Sequence, residues 1–124
     1  MIYLDTHVVV WLYTGQVSKL SVQARDLINE NPIYISAIVR LELQYLYEIQ
    51  RITDEANEVL LDLSDRIGLK ICDQSFNTII SETLKLSWAR DPFDRIIVAN
   101  AALSSSILVT KDQYILENYG NARW

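Results

Sequence analysis

Aspartates follow two short apolar runs along the chain. Asp5 directly follows residues 2–4, and Asp112 follows residues 107–109 after a threonine and a lysine. Carboxylates at the carboxyl ends of buried strands can bind a hard divalent cation, because oxygen ligands suit Mg²⁺ and Mn²⁺. An aspartate in either place can equally accept hydrogen bonds from the free N–H groups of a following helix. The local pattern at Asp5 favours neither role over the other.

Glu42 lies on the apolar side of a predicted helix. Ile35, Val39, Leu46 and Ile49 are spaced by four, seven and three residues, and Glu42 fills the gap in this stripe. Burying an unpaired carboxylate is costly, so such a group protonates, pairs with a cation or binds a metal. An ion pair with a buried arginine, or a place at the rim of the core, is the alternative for Glu42.

Two further aspartates open an alanine-rich helix. Asp91 suits the N-cap and Pro92 the first helical position, so Asp94 falls in the first turn, where it also interacts favourably with the helix dipole. Apolar residues follow Asp94 three, four and seven positions later, at Ile97, Val98 and Ala101. Asp94 therefore heads a stripe that faces the sheet, and we expect it to lie near Asp5.

Together, Asp5, Glu42, Asp94 and Asp112 are expected to gather at one end of a sheet. Four carboxylates this close repel one another and cannot all stay ionised without a cation. One or two Mg²⁺ or Mn²⁺ ions would balance their charge, leave room for a phosphate, and activate a water against a phosphodiester bond. Asp73 follows another apolar run, but its strand is predicted nearer the sheet edge, and we interpret it as a helix cap.

Short strands alternate with helices along the chain, which indicates how these residues are positioned. Strands are predicted at residues 2–4, 33–35, 69–72 and 107–109, with an edge strand at 122–124. Helices are predicted at residues 6–13, 21–30, 37–49, 55–67, 75–86, 91–104 and 112–117. This alternation is typical of a three-layer α/β/α sandwich around a mostly parallel sheet of four to five short strands, here a single domain over residues 1–124. Ligands bind beyond the carboxyl ends of such strands.

Composition narrows the class of protein further. The chain has 124 residues, 50% of them hydrophobic, and its net charge of −5 argues against nucleic-acid binding by bulk positive charge. A metal held by several acidic residues would cancel part of that charge. One cysteine and one histidine cannot supply a zinc set of the Cys/His type. We expect no signal peptide, no membrane span and a cytoplasmic location.

Four segments resemble the motifs of PIN-domain nucleases, in the same order along the chain. They are residues 2–7 (Ile-Tyr-Leu-Asp-Thr-His), Ile35-Ser36 followed by Glu42, residues 91–99 (Asp-Pro-Phe-Asp-Arg-Ile-Ile-Val-Ala), and residues 108–112 (Leu-Val-Thr-Lys-Asp). Their order and spacing together are fairly specific, and they span nearly the whole chain. The size of the protein is similar to that of VapC-type toxins of toxin–antitoxin pairs.

The resemblance implies a metal-dependent endoribonuclease that cleaves RNA by water attack and leaves 5′-phosphate and 3′-hydroxyl ends. It implies Mg²⁺ or Mn²⁺ as the cofactor, a cognate antitoxin protein as a partner, and a homodimer. The acidic positions of the family correspond to Asp5, Glu42, Asp94 and Asp112, which would be the catalytic and metal-binding residues. Supporting positions correspond to Thr6, Thr110 and Asp91.

Positive side chains flank the predicted site in sequence. Arg90, Arg95 and Lys111 are candidates for contacts with RNA phosphates, with solvated surface charge as the alternative.

Four other function classes are alternatives to the toxin nuclease. An RNA-processing PIN nuclease outside a toxin–antitoxin pair and a non-catalytic PIN-like binding module remain alternatives. A phosphatase of the haloacid-dehalogenase type would have an aspartate where this chain has His7, and a receiver domain would have an acidic pair where it has only Asp5. Both of these phosphate-handling classes are therefore disfavoured.

Overall fold

The computed structural model describes residues 1–124, and a sheet of five short parallel strands lies at its centre. The strands are β1 (Ile2–Leu4), β2 (Ile33–Ile35), β3 (Lys70–Ile71), β4 (Ile107–Val109) and β5 (Ala122–Arg123). Their order across the sheet is β3-β2-β1-β4-β5, and every neighbouring pair is parallel. The predicted parallel sheet is confirmed, and the predicted edge strand is present as β5.

Seven α-helices connect and cover these strands. They are α1 (Thr6–Tyr13), α2 (Val22–Glu30), α3 (Ala37–Glu48), α4 (Ala56–Ile67), α5 (Phe76–Thr83), α6 (Pro92–Leu103) and α7 (Gln113–Asn118). A short 3-10 turn, Val17–Lys19, was not predicted. Parallel strands need crossover connections, and helices supply them here. The predicted three-layer α/β/α architecture is confirmed.

Further strands lie on both sides of the central strand β1. The chain first adds β2 and β3 on one side of β1, and after α6 it adds β4 and β5 on the other. The strand order therefore reverses between β1 and β4, which pair with Leu4 opposite Val109. A crevice beyond the carboxyl ends of the strands at such a reversal is the usual ligand site of these sheets. The residues that follow the two strands there are Asp5 and Thr110.

The central strands are buried on both faces, because helices cover both. All three residues of β1 are buried, as are Leu108 and Val109 of β4. This explains why the strands read as continuous apolar runs in the sequence rather than as an alternating pattern. The small residues Ala99 and Ala101 are fully buried in α6, where they allow close packing.

The apolar stripe proposed for α3 was wrong in detail. Ile35 belongs to β2, and Ile49 lies beyond the last residue of α3 with 43% of its surface exposed. The buried residues of the helix are Val39 and Leu43. Counting a helical period across the strand–helix boundary produced the error. Glu42 is nevertheless half-buried, between the buried face and solvent.

The structure tests the two predictions made for Asp73 and for the strand that precedes it. The interpretation of Asp73 as a helix cap was wrong, because α5 begins at Phe76 and has Ser75 at its N-cap. The prediction that the strand before Asp73 lies near the sheet edge is confirmed, since β3 is an edge strand. None of the helices combines the length and the apolar character that crossing a bilayer requires.

Candidate active site

Asp5 lies at the carboxyl edge of the sheet, between β1 and β4. Its backbone N–H donates to the Val109 carbonyl at 3.1 Å. Both side-chain oxygens accept hydrogen bonds, Oδ1 from the Thr6 N–H at 2.8 Å and Oδ2 from the Thr110 hydroxyl at 2.7 Å. The residue is only 4% exposed. Asp5 therefore caps α1, as one of its two interpretations predicted, and its carboxylate is buried at the switch point, where binding of a metal stays a prediction.

Thr110 connects the two aspartates that follow β1 and β4. Its hydroxyl donates to Asp5 and accepts a hydrogen bond from the Asp112 N–H at 3.0 Å. Asp112 is the N-cap of α7, where its Oδ1 accepts from the Ile115 N–H at 3.0 Å. Capping uses Oδ1, so Oδ2 remains available to a ligand. A single buried threonine thus fixes the position of one aspartate relative to the other.

Glu42 reaches the same edge of the sheet from α3. The Thr6 hydroxyl donates a short hydrogen bond to its Oε1. Burial raises the pKa of the Glu42 carboxyl, the Thr6 hydrogen bond opposes this change, and the negative charges of Asp5 and Asp91 add to it. No arginine forms an ion pair with Glu42. The alternative of a buried ion pair is therefore not realised.

Asp94 joins the group from the first turn of α6. Asp91 is the N-cap of this helix, and its Oδ1 accepts from the Asp94 N–H at 3.2 Å. Burial raises the pKa of Asp94 to about 7, and four neighbouring charges contribute, those of Asp5, Asp91, Asp112 and Glu42. The residues that share its face, Ile97, Val98 and Ala101, are fully buried as predicted. Asp91 acts as a cap and as a nearby negative charge.

One cavity of about 320 Å³ joins these side chains. Its walls include the four predicted carboxylates Asp5, Glu42, Asp94 and Asp112, together with Thr6. Six further residues line it: His7, Val10, Trp11, Leu46, Arg51 and Ile52. A larger surface cavity of about 410 Å³ lies between α3 and the start of α4, but Glu55 is the only carboxylate on its wall. The acidic chemistry is therefore concentrated in the smaller cavity.

The donors of this cavity suit a hard divalent cation. Burial and mutual repulsion disfavour the ionised forms of Glu42 and Asp94, and a cation would reverse that effect. As placed, no three acidic, histidine or cysteine side chains are grouped closely enough to hold one ion. Mg²⁺ needs only one or two carboxylates and completes its shell with waters and phosphate oxygens. The carboxylates of the cavity therefore fit Mg²⁺ or Mn²⁺.

Six residues of the cavity wall were not predicted as site residues, and three of them, His7, Trp11 and Arg51, have polar, charged or aromatic side chains. His7 accepts a hydrogen bond on Nε2 from the Lys111 N–H at 2.9 Å, and its Nδ1 lies 3.6 Å from Asp5 Oδ2. Trp11 lies one helical turn after His7, and this spacing was a usable signal that both face the site. Arg51 lies in the segment between α3 and α4 and is the only arginine on the wall. No local sequence pattern indicates its position.

The three cations predicted to contact RNA lie in different places. Arg90 and Arg95 line a separate cavity with residues of α5 and α6. Arg95 directly follows Asp94, and adjacent helical residues point about 100° apart, so the two do not face the same side. The backbone N–H of Lys111 is bonded to the cavity wall at His7. Positive charge at the carboxylate cavity therefore comes from Arg51 on its wall and from Lys111, whose Nζ lies 5.9 Å from the ring centroid of Trp11, rather than from Arg90 and Arg95.

Replacing Asp94 with asparagine is expected to stabilise the metal-free protein at high pH. The carboxyl ionises near its ordinary pKa of 3.8 in the unfolded chain and near about 7 in the folded one. Folding therefore becomes less favourable as pH rises through this window, and the loss is complete above it. Asparagine does not ionise, so the Asp94→Asn variant escapes the loss. After allowance for solvent screening, we expect a gain of about 1–2 kcal/mol above pH 7.

Denaturant unfolding of both proteins in chelator, at several pH values, measures this difference. The gain should be small near pH 4 and grow up to about pH 7. A difference that is the same at both ends of the range would contradict the raised pKa of Asp94.

Solved toxin–antitoxin complexes contain chains with the same fold. A chain of a toxin–antitoxin complex from Klebsiella pneumoniae is 20% identical, with a TM-score of 0.71 over 100% of this chain and 97% of that chain. A chain of VapBC2 from Rickettsia felis, bound to a DNA fragment from their promoter, is 24% identical, with a TM-score of 0.66 over 94% and 92%. A chain of DNA-bound VapBC from Salmonella typhimurium is 20% identical, with a TM-score of 0.61 over 99% and 96%. Identities this low support a shared fold.

The sequence itself also matches a known family. No curated protein shows significant similarity to it. The family model described as the PIN domain, however, matches residues 2–121. This span contains all four motif segments and all four carboxylates that line the cavity. The chain therefore belongs to the PIN domain family.

Proposed function

We propose that this protein is an endoribonuclease that hydrolyses RNA with Mg²⁺ or Mn²⁺ and serves as the toxin of a type II toxin–antitoxin pair. The observation that carries the proposal is the convergence of four carboxylates on one cavity at the switch point of the sheet. Membership of the PIN domain family and the fold shared with chains of toxin–antitoxin complexes support the same function.

Asp5, Glu42, Asp94 and Asp112 are the candidate ligands of the divalent cation; one or two of them would bind it directly, and waters and phosphate oxygens would complete its shell. When bound, the cation supplies a Lewis acid that activates water and neutralises charge on the phosphodiester. The residues around them keep these groups in place: Thr110 orients Asp5 through its hydroxyl, and Thr6 orients Glu42. Such fixed orientation reduces the reorganisation that the reaction would otherwise need.

Two cations next to the carboxylates would attract the RNA backbone. Arg51 lies on the cavity wall, and Lys111 is tied to it through the hydrogen bond between its N–H and His7. Contacts of this kind position the nucleic acid without reading its sequence. They would bring the scissile phosphodiester to the carboxylates although the whole chain has a net charge of −5.

Apolar side chains on the outer faces of two helices support a protein partner. Leu41 and Tyr45 of α3 are 56% and 51% exposed, and Leu61 of α4 is 66% exposed. Leu41 and Tyr45 are one helical turn apart on α3, and exposed apolar residues that share a face often mark interaction surfaces. A cognate antitoxin and a second copy of the chain are the partners that we assign to these surfaces.

The proposed RNA substrate is consistent with a cytoplasmic site of action.

Incubation of the protein with total cellular RNA tests the proposed activity. The protein should be purified under denaturing conditions and refolded, so that no antitoxin remains bound. We expect discrete fragments with Mg²⁺ or Mn²⁺ and none in chelator, with 5′-phosphate ends detected by a ligation that requires them. Cleavage that persists in chelator, or no cleavage of any RNA by the refolded metal-supplied protein, would contradict the proposal.

A further inference from the structure

An aromatic cluster with two lysines adjoins the carboxylate cavity. The ring centroid of Trp11, on the cavity wall, is 5.1 Å from that of His7 and 5.9 Å from that of Trp124. The Nζ atom of Lys19 lies 5.5 Å from the Trp11 centroid, and that of Lys111 lies 5.9 Å from it. We call these five residues the aromatic–lysine rim. The carboxylate chemistry described above does not require its tryptophans or Lys19.

Four separate segments of the chain build this rim. His7 and Trp11 share a face of α1, and Lys19 ends the 3-10 turn that follows. Lys111 follows β4, where its N–H is fixed by His7. Trp124 follows β5, and the parallel pairing of β5 with β4 places it at the same carboxyl edge as the carboxylates. The rim is therefore a product of the tertiary fold and not of a local sequence motif.

The charges of the rim differ from those of the cavity beside it. The cavity contains four acidic side chains and one arginine, whereas the rim, which shares His7 and Trp11 with it, adds two lysines and no acidic side chain. Both lysines are exposed, so their contacts with the Trp11 ring are weak, and the ammonium groups can move to another anion. An aromatic face flanked by mobile cations is the combination that binds single-stranded nucleic acid, where bases stack and phosphates pair with the cations.

We infer that the aromatic–lysine rim is a subsite for an unpaired RNA nucleotide next to the phosphodiester that is cleaved. Trp11 and Trp124 contact the base, and Lys19 and Lys111 contact the flanking phosphates. This inference rests on the proposed ribonuclease function and adds to it the residues that would contact the base and the flanking phosphates. Bases within a duplex are stacked on their neighbours and are not free to use such a platform. The lysines favour an anionic ligand of this kind over a basic protein segment.

Tryptophan fluorescence tests base contact directly. The chain has three tryptophans, and the third, Trp88, stacks on Tyr114 with centroids 5.9 Å apart and is not part of the rim. In a Trp88→Phe, Asp94→Asn protein, tryptophan emission comes only from the rim, and cleavage is too slow to consume the RNA during the titration. A single-stranded oligonucleotide of about eight nucleotides, added with Mg²⁺, is expected to quench most of this emission. The same sequence in a duplex should quench little.

Affinity measurements on single variants separate the aromatic and the cationic contributions. In the Asp94→Asn background, Trp11→Leu is expected to weaken binding of the single-stranded oligonucleotide by roughly 5- to 100-fold, whereas Trp11→Phe keeps most of the affinity. Lys111→Gln should lower the slope of log K against log salt by about 0.7, since one phosphate contact is lost. Trp88→Leu is the matched control and should bind RNA like its parent. The exposed Lys111 tests the rim even if Trp11→Leu folds poorly.

The outcomes separate this inference from the proposed function. If the unmodified protein cleaves RNA, but RNA does not quench the Trp88→Phe, Asp94→Asn protein and Trp11→Leu binds RNA like its parent, the subsite is wrong and the ribonuclease proposal stands. Quenching and rim-dependent binding without metal-dependent cleavage would support the subsite and overturn the hydrolysis. If Trp11→Leu loses binding of the antitoxin and keeps its affinity for RNA, the rim is a protein contact, and the inference is overturned.

Discussion

The Asp94→Asn variant is expected to cleave RNA about 10³-fold more slowly than the unmodified protein, while remaining folded. Asp94 lies on the wall of the cavity, and burial and four neighbouring negative charges disfavour its ionised form, which a bound cation would stabilise. Loss of this ligand removes several kcal/mol of charge stabilisation in the transition state, and each ~1.4 kcal/mol corresponds to a tenfold change in rate. Initial rates with a labelled RNA at saturating Mg²⁺ measure the effect.

Asp91→Asn is the matched control for this measurement. Asp91 carries the same functional group three residues earlier, but it caps α6 and does not line the cavity. Asparagine caps helices about as well as aspartate, so this variant should fold normally and keep most of its activity. Equal losses in both variants would place Asp91 in the metal site. Full activity in Asp94→Asn would show that the carboxylates have been assigned to the wrong role.

The sequence predicted the elements whose signals are local. β1, β2 and β4 occur at the predicted residues, because each is a three-residue apolar run with polar residues or turns on either side. Asp94 was placed correctly for the same reason, since the apolar residues behind it fix the face of α6 that packs on the sheet. The hydrogen bond of Asp91 then fixes where that helix begins.

The sequence did not predict some of the contacts between residues that lie far apart along the chain. Arg51 reaches the cavity from the connection between α3 and α4, and Trp124 reaches the rim only because β5 adds to the sheet beside β4. Neither position has a periodic pattern that marks it. For Arg95 the prediction was wrong in a different way: it directly follows Asp94 in sequence and was expected near it, but it lines another cavity. Closeness along a helix indicates a shared face only at three or four residues of separation.

Mg²⁺ or Mn²⁺ at about 100 times its dissociation constant is expected to raise the midpoint of thermal unfolding by roughly 10 °C. A ligand that binds the folded chain and not the unfolded one stabilises the fold by about 2.7 kcal/mol at that concentration. In a protein of this size, each kcal/mol raises the midpoint of unfolding by several degrees. The physical cause is that a bound cation offsets both the burial of Asp94 and the repulsion from its neighbouring carboxylates, which together raise the pKa of Asp94 to about 7. Protons compete with the metal, so the gain should shrink as pH falls below about 7.

Thermal unfolding followed by circular dichroism, with metal titrated into chelator-treated protein, measures this gain. The Asp94→Asn variant should show a much smaller shift, because it lacks one carboxylate ligand and much of the repulsion. Potassium chloride at matched ionic strength should produce little change in either protein, since mobile salt screens partly buried charges poorly. An equal shift in both proteins would mean that the metal binds elsewhere on the acidic surface. A shift confined to the unmodified protein would support metal binding at the carboxylates without relying on any assay of RNA cleavage.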